Sequence, residues 1–334
     1  MTQTTEQTPA SSLTHKGGGV MADRIFRLMC VAAGVLVLAI LALILLSTAN
    51  EGWPALRESG LRLVTSKVWV TNDPDGDGPL KPQFGALAYV YGTAVVSLIA
   101  LLIAVPISIG IALFLTELAH RRLRGPVVTI IDLLAAVPSV VFGLWGILVV
   151  GPAILPAYEW VHNLVKSIPV LRTVFGAPVS SGRGFMTAGI ILAIMIIPII
   201  TSLTREIFAT VPSADKHAAL ALGATRWEMI KGAVFPHSFG GVVGAVMLGL
   251  GRAMGETIAV TLTIGGSNQI VANIFQSGYA LPAVIVDQFG ESGGLHRDAL
   301  IALGLVLFVM TVLVNLLARV VVRRAELRMR GAVA

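Results

Sequence analysis

The chain is poor in cysteine and in charge. Cys30 is the single cysteine among 334 residues, which excludes a framework of disulfide bonds and a cysteine-based metal site. Only 13% of the residues are charged, whereas about 25% are charged in a typical soluble domain. The sequence is 55% hydrophobic and its mean hydropathy is +0.85. These values place the chain among membrane proteins that cross the bilayer several times.

Patterns that would indicate enzymatic or nucleic-acid chemistry are also missing. The sequence has no G-x-x-x-x-G-K-[ST] motif, so it lacks the usual P-loop for ATP. Its histidines show no metal-site spacing, and the acidic run 73–78 starts like a calcium loop but has Phe84 where that loop needs a bidentate Glu. The net charge is +6, yet no basic patch with interleaved aromatics indicates nucleic acid. We therefore expect no enzymatic activity, no cofactor and no metal, and only a polar turn at 73–78.

Long apolar runs are what the sequence has in abundance. Six of them reach the roughly 20 residues that a helix needs to cross a bilayer. They cover 29–48, 88–115, 127–150, 185–204, 239–264 and 299–320. The predicted fold class is all-α, a polytopic membrane protein with about six transmembrane helices. The apolar part of the first run is longer than the roughly 7–15 residues usual in a signal peptide, so we expect a retained helix.

The distribution of polar residues predicts the organisation and the orientation of the chain. Residues 1–24 are polar and Gly-rich and are predicted to be a disordered cytoplasmic N-terminus. Residues 25–325 would form the transmembrane domain and 326–334 a cytoplasmic tail. With the N-terminus inside, most lysines and arginines fall in cytoplasmic segments, as the positive-inside rule requires. We therefore predict that both termini are cytoplasmic and that 205–238 is the long cytoplasmic connection.

Two charges interrupt the fifth apolar run. Arg252 and Glu256 lie within 239–264 with no other ionisable residue in it. A charge at membrane depth costs about 2.5–3.5 kcal/mol on insertion scales, so such residues usually face a bundle interior or a water-filled path and mark function. In a continuous helix the two residues would share one face and could pair, with Arg252 about 20 Å from the cytoplasmic start of the run. A structural ion pair that holds the bundle together is the alternative to a role in transport.

Other residues in the apolar runs have two interpretations each. Pro106, Pro138 and Pro198 each interrupt a run, and they could expose backbone near a substrate path or act as packing kinks. Asp132 stands near the predicted start of the third span. It could be an acid in the first turn of a helix, which the helix dipole favours, or it could contribute to packing between spans.

The connection between the fourth and fifth runs has the pattern of two short helices. Ser213 is a candidate N-cap for a helix over 214–222, and Gly223 would end that helix. A second short helix is predicted over Thr225–Val234, and Pro236 would stop it before the next span. The pattern alone is also compatible with an ordinary linker at the membrane surface.

This connection resembles the EAA loop of ABC-importer permeases. The loop pattern is Glu-Ala-Ala, three residues, Gly, nine residues and Ile-x-Leu-Pro. His217 stands at the Glu position, Ala218 and Ala219 follow, and Gly223 and Pro236 stand at the required spacing. Four of the seven defined positions match, and the change of Glu to His removes a family charge. The resemblance implies that 213–236 is a coupling loop that docks on the ATPase subunit.

Further segments resemble the permeases of the bacterial phosphate importer. Those segments are Asp132–Gly146, Gly251–Thr257, Trp69, Phe84–Gly85 and Gly92–Thr93. Together with the coupling loop, the resemblance covers nearly all of 25–325. The long loop before the second span is similar to that of the PstC-type permease subunit rather than its PstA-type sister. Such proteins are binding-protein-dependent transport system inner-membrane components with the type I ABC-importer permease fold.

The resemblance implies a transport function with several partners. The chain would translocate inorganic phosphate across the bacterial cytoplasmic membrane, beside a homologous PstA-type permease, a cytoplasmic PstB-type ATPase dimer and an extracytoplasmic PstS-type phosphate-binding protein. Arg252 would contact the anion, because a guanidinium can bind two oxygens at once, and Glu256 would hold Arg252 while the site is empty. A permease for sulfate or molybdate is the first alternative. An ion-coupled secondary transporter gated by Arg252 and Glu256 is the second.

Overall fold

The computed structural model describes residues 19–71 and 82–331, and helices dominate both ranges. The first seven helices are α1 Gly19–Ser59, α2 Arg62–Thr65, α3 Leu87–Leu113, α4 Arg121–Ala135, α5 Ser139–Trp145, α6 Gly151–Val165 and α7 Pro169–Val174. The next seven are α8 Phe185–Ala209, α9 Ser213–Ala221, α10 Arg226–Met229, α11 Phe235–Gly255, α12 Ile258–Ile264, α13 Leu281–Phe289 and α14 Gly294–Gly331. Three π-helical turns extend or join them, at Phe114–Leu118, Gly146–Val150 and Ile230–Val234.

The predicted fold class is confirmed. Within the described residues, six helical stretches are long and apolar enough to cross a membrane. They are Met21–Ser59, Leu87–Leu118, Ser139–Val165, Phe185–Ala209, Arg226–Gly255 and Gly294–Val320. Four of the predicted runs lie inside the corresponding stretches, and the third and fifth differ from the prediction. The chain is therefore a multi-pass membrane protein.

The third span is displaced along the sequence from its predicted position. The prediction of 127–150 was wrong because the chain is extended at Pro138, with ψ 140°, and α4 ends before it. A proline lacks the N–H that a continuous helix would need there. The span therefore starts at Ser139. Asp132 lies exposed in the last turn of α4, where the helix dipole does not favour an acid, so the first-turn interpretation was wrong.

The other two prolines do not break their spans. Pro106 lies inside α3 and Pro198 inside α8, and both helices continue through them. The fifth span breaks instead at Glu256, which has ψ 128°, although no proline is present. Of these three prolines, only Pro138 therefore coincides with an interruption of a helix. The interruption at Glu256 does not involve a proline.

The second and fourth spans form the central pair of the bundle. α3 presents small side chains to α8, among them Ala100 and Ala104, and both are fully buried. Small residues let two helix backbones approach closely, which is the usual way that membrane helices gain contact energy. A hydrogen bond adds to this packing, since the buried Ser108 hydroxyl of α3 donates to the carbonyl oxygen of Ile197 at 3.2 Å. α11 packs against both helices of this pair.

The chain divides into two units, residues 1–50 and 51–334, which are described separately. In the first unit, residues 19–50 are helical, so the predicted disordered segment 1–24 was wrong for 19–24, while 1–18 lie outside the described residues. In the second unit, a Cβ added at Gly52 would lie only 3.1 Å from the backbone of Ala302, so these two positions pack closely. The predicted polar turn at 73–78 also lies outside the described residues.

The segment 265–280 folds back onto the start of α8. The backbone N–H groups of Gly184, Phe185 and Met186 donate to the carbonyl oxygens of Thr263, Gln276 and Ile274 at 2.8–3.1 Å. These bonds satisfy N–H groups that a helix N-terminus otherwise leaves without an intrahelical partner. The start of the fourth span is thereby tied to the end of the fifth.

Candidate functional site

Residues 213–236, called the coupling segment after the role that the resemblance implies, form a helix, a turn and a second helix, as predicted. α9 covers Ser213–Ala221, and Gly223 follows with φ +86°, the left-handed conformation that glycine adopts easily. Two details differ from the prediction. Ser213 is the first helical residue rather than the N-cap and its side chain makes no cap hydrogen bond. Pro236 does not stop the second helix, because it lies in the first turn of α11, which continues from α10 through a π-helical turn.

A capping box starts α10. The Thr225 side chain accepts a hydrogen bond from the backbone N–H of Glu228 at 3.3 Å, and a carboxylate oxygen of Glu228 accepts from the backbone N–H of Thr225 at 2.7 Å. This reciprocal pair satisfies two N–H groups at the helix start. This cap was not predicted, although the spacing Thr-x-x-Glu is its signal in the sequence. The turn is thereby defined by the left-handed Gly223 at its start and by the capping box at its end.

The coupling segment has one face on the protein and one face free. Met229, Ile230 and Val234 are buried in a cluster with Phe208, and half-buried Ala219 packs against the same cluster. Other side chains of the segment point away from the chain. They are His217, Ala218, Leu220, Leu222 and Trp227, with Leu222 89% and Trp227 57% exposed. An exposed, partly apolar face of this kind is typical of a surface that meets another protein.

An ion pair that the sequence analysis did not predict attaches α9 to the second span. Nζ of Lys216 lies 2.6 Å from Oε1 of Glu117. The two side chains are only 18% and 10% exposed. Glu117 belongs to the π-helical turn that extends α3, and Lys216 directly precedes His217. The 99 positions between the partners explain why no local pattern could indicate the pair.

The structure does not place Arg252 and Glu256 on one helix face. α11 ends at Gly255, Glu256 is extended with φ −71° and ψ 128°, and α12 starts only at Ile258. Because the helix stops between the two residues, the expected i, i+4 geometry does not form. The salt bridges found among the described residues do not include either of them. The predicted pairing was therefore wrong, and the two residues have separate environments.

Glu256 points into the bundle. It is 8% exposed, and its Oε1 accepts a long hydrogen bond of 3.4 Å from the backbone N–H of Ala259. It lines a cavity of about 10 Å³ together with Thr93 and Ser97 of the second span. A cavity of this size holds one water molecule at most, so an oxyanion does not fit there in this conformation.

Arg252 points the other way. It is in the last turn of α11 and its side chain is exposed. Neighbouring Ala253 and Met254 are buried, so the exposure belongs to one face of the helix. The Arg252 guanidinium is therefore accessible to a ligand or to another protein.

Close packing by two glycines holds the second half of the fifth span. A side chain at Gly143 would meet the backbone of Ala259 at 3.0 Å, and one at Gly146 would meet Thr263 at 2.6 Å. Both glycines belong to the Asp132–Gly146 segment on which the family resemblance partly rested. Their role is to let α5 and the turn after it approach α12. A Cβ at either position would push the broken end of the fifth span away.

Nothing in the described residues suggests a metal site. In the ranges 19–71 and 82–331, no three His, Cys, Asp or Glu side chains come together in a way that could hold a metal ion. The candidate groups are thus a buried carboxylate near two hydroxyls, an exposed guanidinium, and, at a separate place, an exposed and partly apolar face joined to the second span by an ion pair.

Curated proteins and solved structures resemble this chain over most of its length. The phosphate transport system permease protein PstC of Mesorhizobium japonicum is 41% identical over 310 residues, 92% of each chain. PstC of Haemophilus influenzae is 40% identical and covers 91% of this chain and 94% of its own length. PstC 2 of Mycobacterium tuberculosis is 38% identical over 90% of this chain and 91% of its own length.

The solved structures extend the similarity of fold. A bacterial ABC transporter involved in the import of the acidic polysaccharide alginate gives a TM-score of 0.51 at 19% identity, over 91% of this chain and 98% of that one. The bacterial alginate ABC transporter in complex with alginate pentasaccharide-bound periplasmic protein gives 0.53 at 18% identity, over 91% and 97%. The chain thus has the fold of an ABC-importer permease. Residues 104–331 match the family described as binding-protein-dependent transport system inner membrane component, and the chain belongs to that family, among its PstC-type permeases.

Proposed function

We propose that the chain is a permease subunit of an ATP-driven importer that moves inorganic phosphate across the bacterial cytoplasmic membrane. The names of the PstC relatives support phosphate as the substrate. The partners would be a PstA-type permease, a PstB-type ATPase dimer and a PstS-type phosphate-binding protein. Both termini would be cytoplasmic, which puts the coupling segment on the ATPase side of the membrane. Hydrolysis of ATP would take place in the partner, and this chain would carry out no covalent chemistry.

The observation that carries the proposal is the exposed guanidinium of Arg252 at a broken transmembrane helix. A charge on the lipid-facing side of a helix is too costly to be retained without a function, so Arg252 faces the second permease or a water-filled path between the two. A planar guanidinium binds two oxygens of an oxyanion in parallel. The break after Gly255 interrupts the helix beside it, and discontinuous helices form the substrate sites of other transporters.

Glu256 has a different role in this proposal from the one that its spacing to Arg252 suggested. Its carboxylate faces Thr93 and Ser97 in a cavity too small for the substrate. We assign it to the break itself, where it accepts from the N–H of Ala259 and keeps α12 separate from α11. Arg252 then remains free for the anion while Glu256 maintains the backbone geometry that exposes it.

The coupling segment completes the proposal. His217, Ala218 and the exposed side chains beside them would enter a groove on the ATPase, and the left-handed turn at Gly223 would set the angle of entry. Ala219 faces the other way and transmits contact to the apolar cluster below, and Pro236 lies where the segment joins the fifth span. Alternating access would follow when closure of the ATPase dimer moves this segment.

Phosphate uptake by the assembled complex in liposomes tests the proposal, with ATP inside and the loaded binding protein outside. We expect Arg252→Ala to lower uptake about tenfold to a hundredfold, since hydrogen bonds to a charged group contribute about 1.5–3 kcal/mol. Arg252→Lys should also lose uptake, because a point charge cannot bind two oxygens in parallel. Glu256→Gln should lose less, since an amide oxygen can still accept from Ala259. The exposed Arg172 supplies the control substitution Arg172→Lys.

Different outcomes would contradict different parts of this proposal. Wild-type uptake by all three variants would remove Arg252 and Glu256 from translocation. Uptake by the permeases without an ATPase would indicate an ion-coupled transporter instead. Competition by sulfate or molybdate as strong as that by phosphate would place the substrate in the wider oxyanion class.

A further inference from the structure

We propose that the ion pair between Lys216 and Glu117 is a tether that carries movement of the coupling helix α9 into the second span. The proposal rests on the function proposed above, because it needs an ATPase that moves α9. The pair links Nζ of Lys216 to Oε1 of Glu117 at 2.6 Å. Neither the EAA pattern nor the charges of the fifth run indicate it, since Lys216 precedes the pattern and Glu117 ends another span.

Among the described residues, the pair is the one hydrogen bond between α9 and the second span. α9 has no buried residue of its own and packs mainly against α10 and the π-helical turn 230–234. Its contact with the end of the second span runs through Ala219, which touches an apolar cluster, and through the Lys216 side chain. An apolar contact can slide, whereas a short charged hydrogen bond has a defined direction. Pulling or pushing α9 therefore acts on Glu117.

Burial makes the pair sensitive to the loss of either partner. The side chains are 18% and 10% exposed, beside the apolar cluster that contains Phe208 and Val234. Surface ion pairs contribute little because water competes with them. When a pair is shielded in this way, removal of one partner leaves a charge without compensation, and the local structure must move to solvate it. A substitution at Lys216 is therefore expected to shift α9 or the end of the second span rather than merely remove a contact.

The second span connects this tether to the break in the fifth span. Glu117 is in the π-helical turn at one end of the second span, and such turns are frequent at functional sites. Thr93 and Ser97 are near the other end and line the small cavity that contains Glu256. α3 runs without interruption between the two ends. A displacement of Glu117 along the helix axis would thus reach the residues that surround the Glu256 carboxylate, about 30 Å away at a helical rise of ~1.5 Å per residue.

The test compares phosphate transported per ATP hydrolysed in the complete complex. We expect Lys216→Met and Glu117→Gln to assemble and to hydrolyse ATP, while transport per ATP falls about fivefold or more, the lower end of ordinary coupling between sites. The charge-swapped double variant, Lys216→Glu with Glu117→Lys, should recover more than half of the wild-type ratio. Lys166→Met and Glu291→Gln remove an exposed lysine and an exposed glutamate elsewhere and serve as controls.

The outcomes separate the tether from a merely structural role. If both single variants keep the wild-type ratio, the tether is wrong. If they fail to assemble, the charge-swapped double variant decides the question, because it restores the ion pair with the two charges exchanged. A swap that restores assembly without restoring the ratio counts against the tether as well. Failure of the wild-type complex to take up phosphate would contradict the proposed function instead, because that result does not depend on the pair.

Discussion

A substitution at Gly223 should affect the protein through backbone strain alone, without a steric clash. Gly223 has φ +86°, and a Cβ added there would meet no atom within 4 Å. Gly223→Ala therefore introduces no clash, and its whole effect comes from placing an L-residue in a left-handed conformation, which costs roughly 1–2 kcal/mol. The turn can avoid this strain by changing its dihedral angles. α9 would then lie at a different angle to α10, which alters the face that contains His217 and Leu220.

The assay is ATP hydrolysis by the assembled complex with and without the loaded binding protein. We expect Gly223→Ala to reduce the stimulated rate by about fivefold to thirtyfold, the equivalent of the strain if it is released through misalignment of α9. Gly223→Asn should fall between wild type and Gly223→Ala, since asparagine tolerates the left-handed region better than alanine does. Gly290→Ala is the matched control, because Gly290 has φ −65° and also faces open space.

Stimulated rates of the alanine and wild-type proteins that agree within twofold would refute this reasoning. So would an asparagine variant that is worse than the alanine variant, because bulk would then matter more than the sign of φ. Thermal unfolding of the complex supplies an independent check. The strain is local and exposed, so the midpoint should move much less than the stimulated rate does.

Two further predictions concern the bundle and the capping box. Gly92→Ala should destabilise the permease by about 1–3 kcal/mol or more, because the added Cβ would overlap the carbonyl oxygen of Tyr279. Gly110 in the same helix faces open space, so Gly110→Ala should be tolerated. Thermal unfolding in detergent measures both variants, and equal unfolding midpoints would contradict this account of the packing. Thr225→Ala should destabilise the start of α10 by about 0.5–2 kcal/mol, whereas Thr225→Ser should retain most of the cap. Hydrogen exchange of the Glu228 backbone amide measures the difference. Equal protection of that amide in the alanine variant and the wild type would argue against the cap.

The number of spans was predictable because the signal of each is local and strong. A bilayer requires about 20 apolar residues in a row, and the runs in 88–115, 185–204 and 299–320 meet that requirement without ambiguity. The third run was misplaced because 127–137 is apolar enough to continue the pattern. The helix restarts at Ser139 because Pro138 lacks a backbone N–H donor. A hydropathy profile does not contain this information.

The break in the fifth span was not predictable from the same signals. Composition there is apolar on both sides of Glu256, and the spacing of four residues to Arg252 indicates pairing in any continuous helix. The structure instead ends α11 at Gly255 and packs α12 against α5, where Gly143 lets the backbones approach. Contact between residues more than a hundred positions apart decides this geometry. The lesson for similar sequences is that a Gly before an intramembrane acid is a candidate break.

The turn at Gly223 shows the opposite case. Its left-handed conformation was implied by one glycine at a fixed spacing after Ala218 and Ala219, and the structure has it with φ +86°. Here local chemistry is sufficient, because a helix that must end and be followed by a second helix after only four residues needs a residue that tolerates positive φ. The buried pair between Lys216 and Glu117 had no comparable signal.

The separation of Arg252 from Glu256 strengthens the argument for transport. A paired arginine would be neutralised inside the chain, and an anion would have to displace the glutamate before it could bind. In the structure the carboxylate is directed toward Thr93 and Ser97, and the guanidinium is directed away from the bundle. Movement of the second span would act first on Glu256 and, through the break, on the orientation of Arg252. A permease built in this way can change the accessibility of its cation without breaking an ion pair, which would otherwise cost several kcal/mol in each cycle.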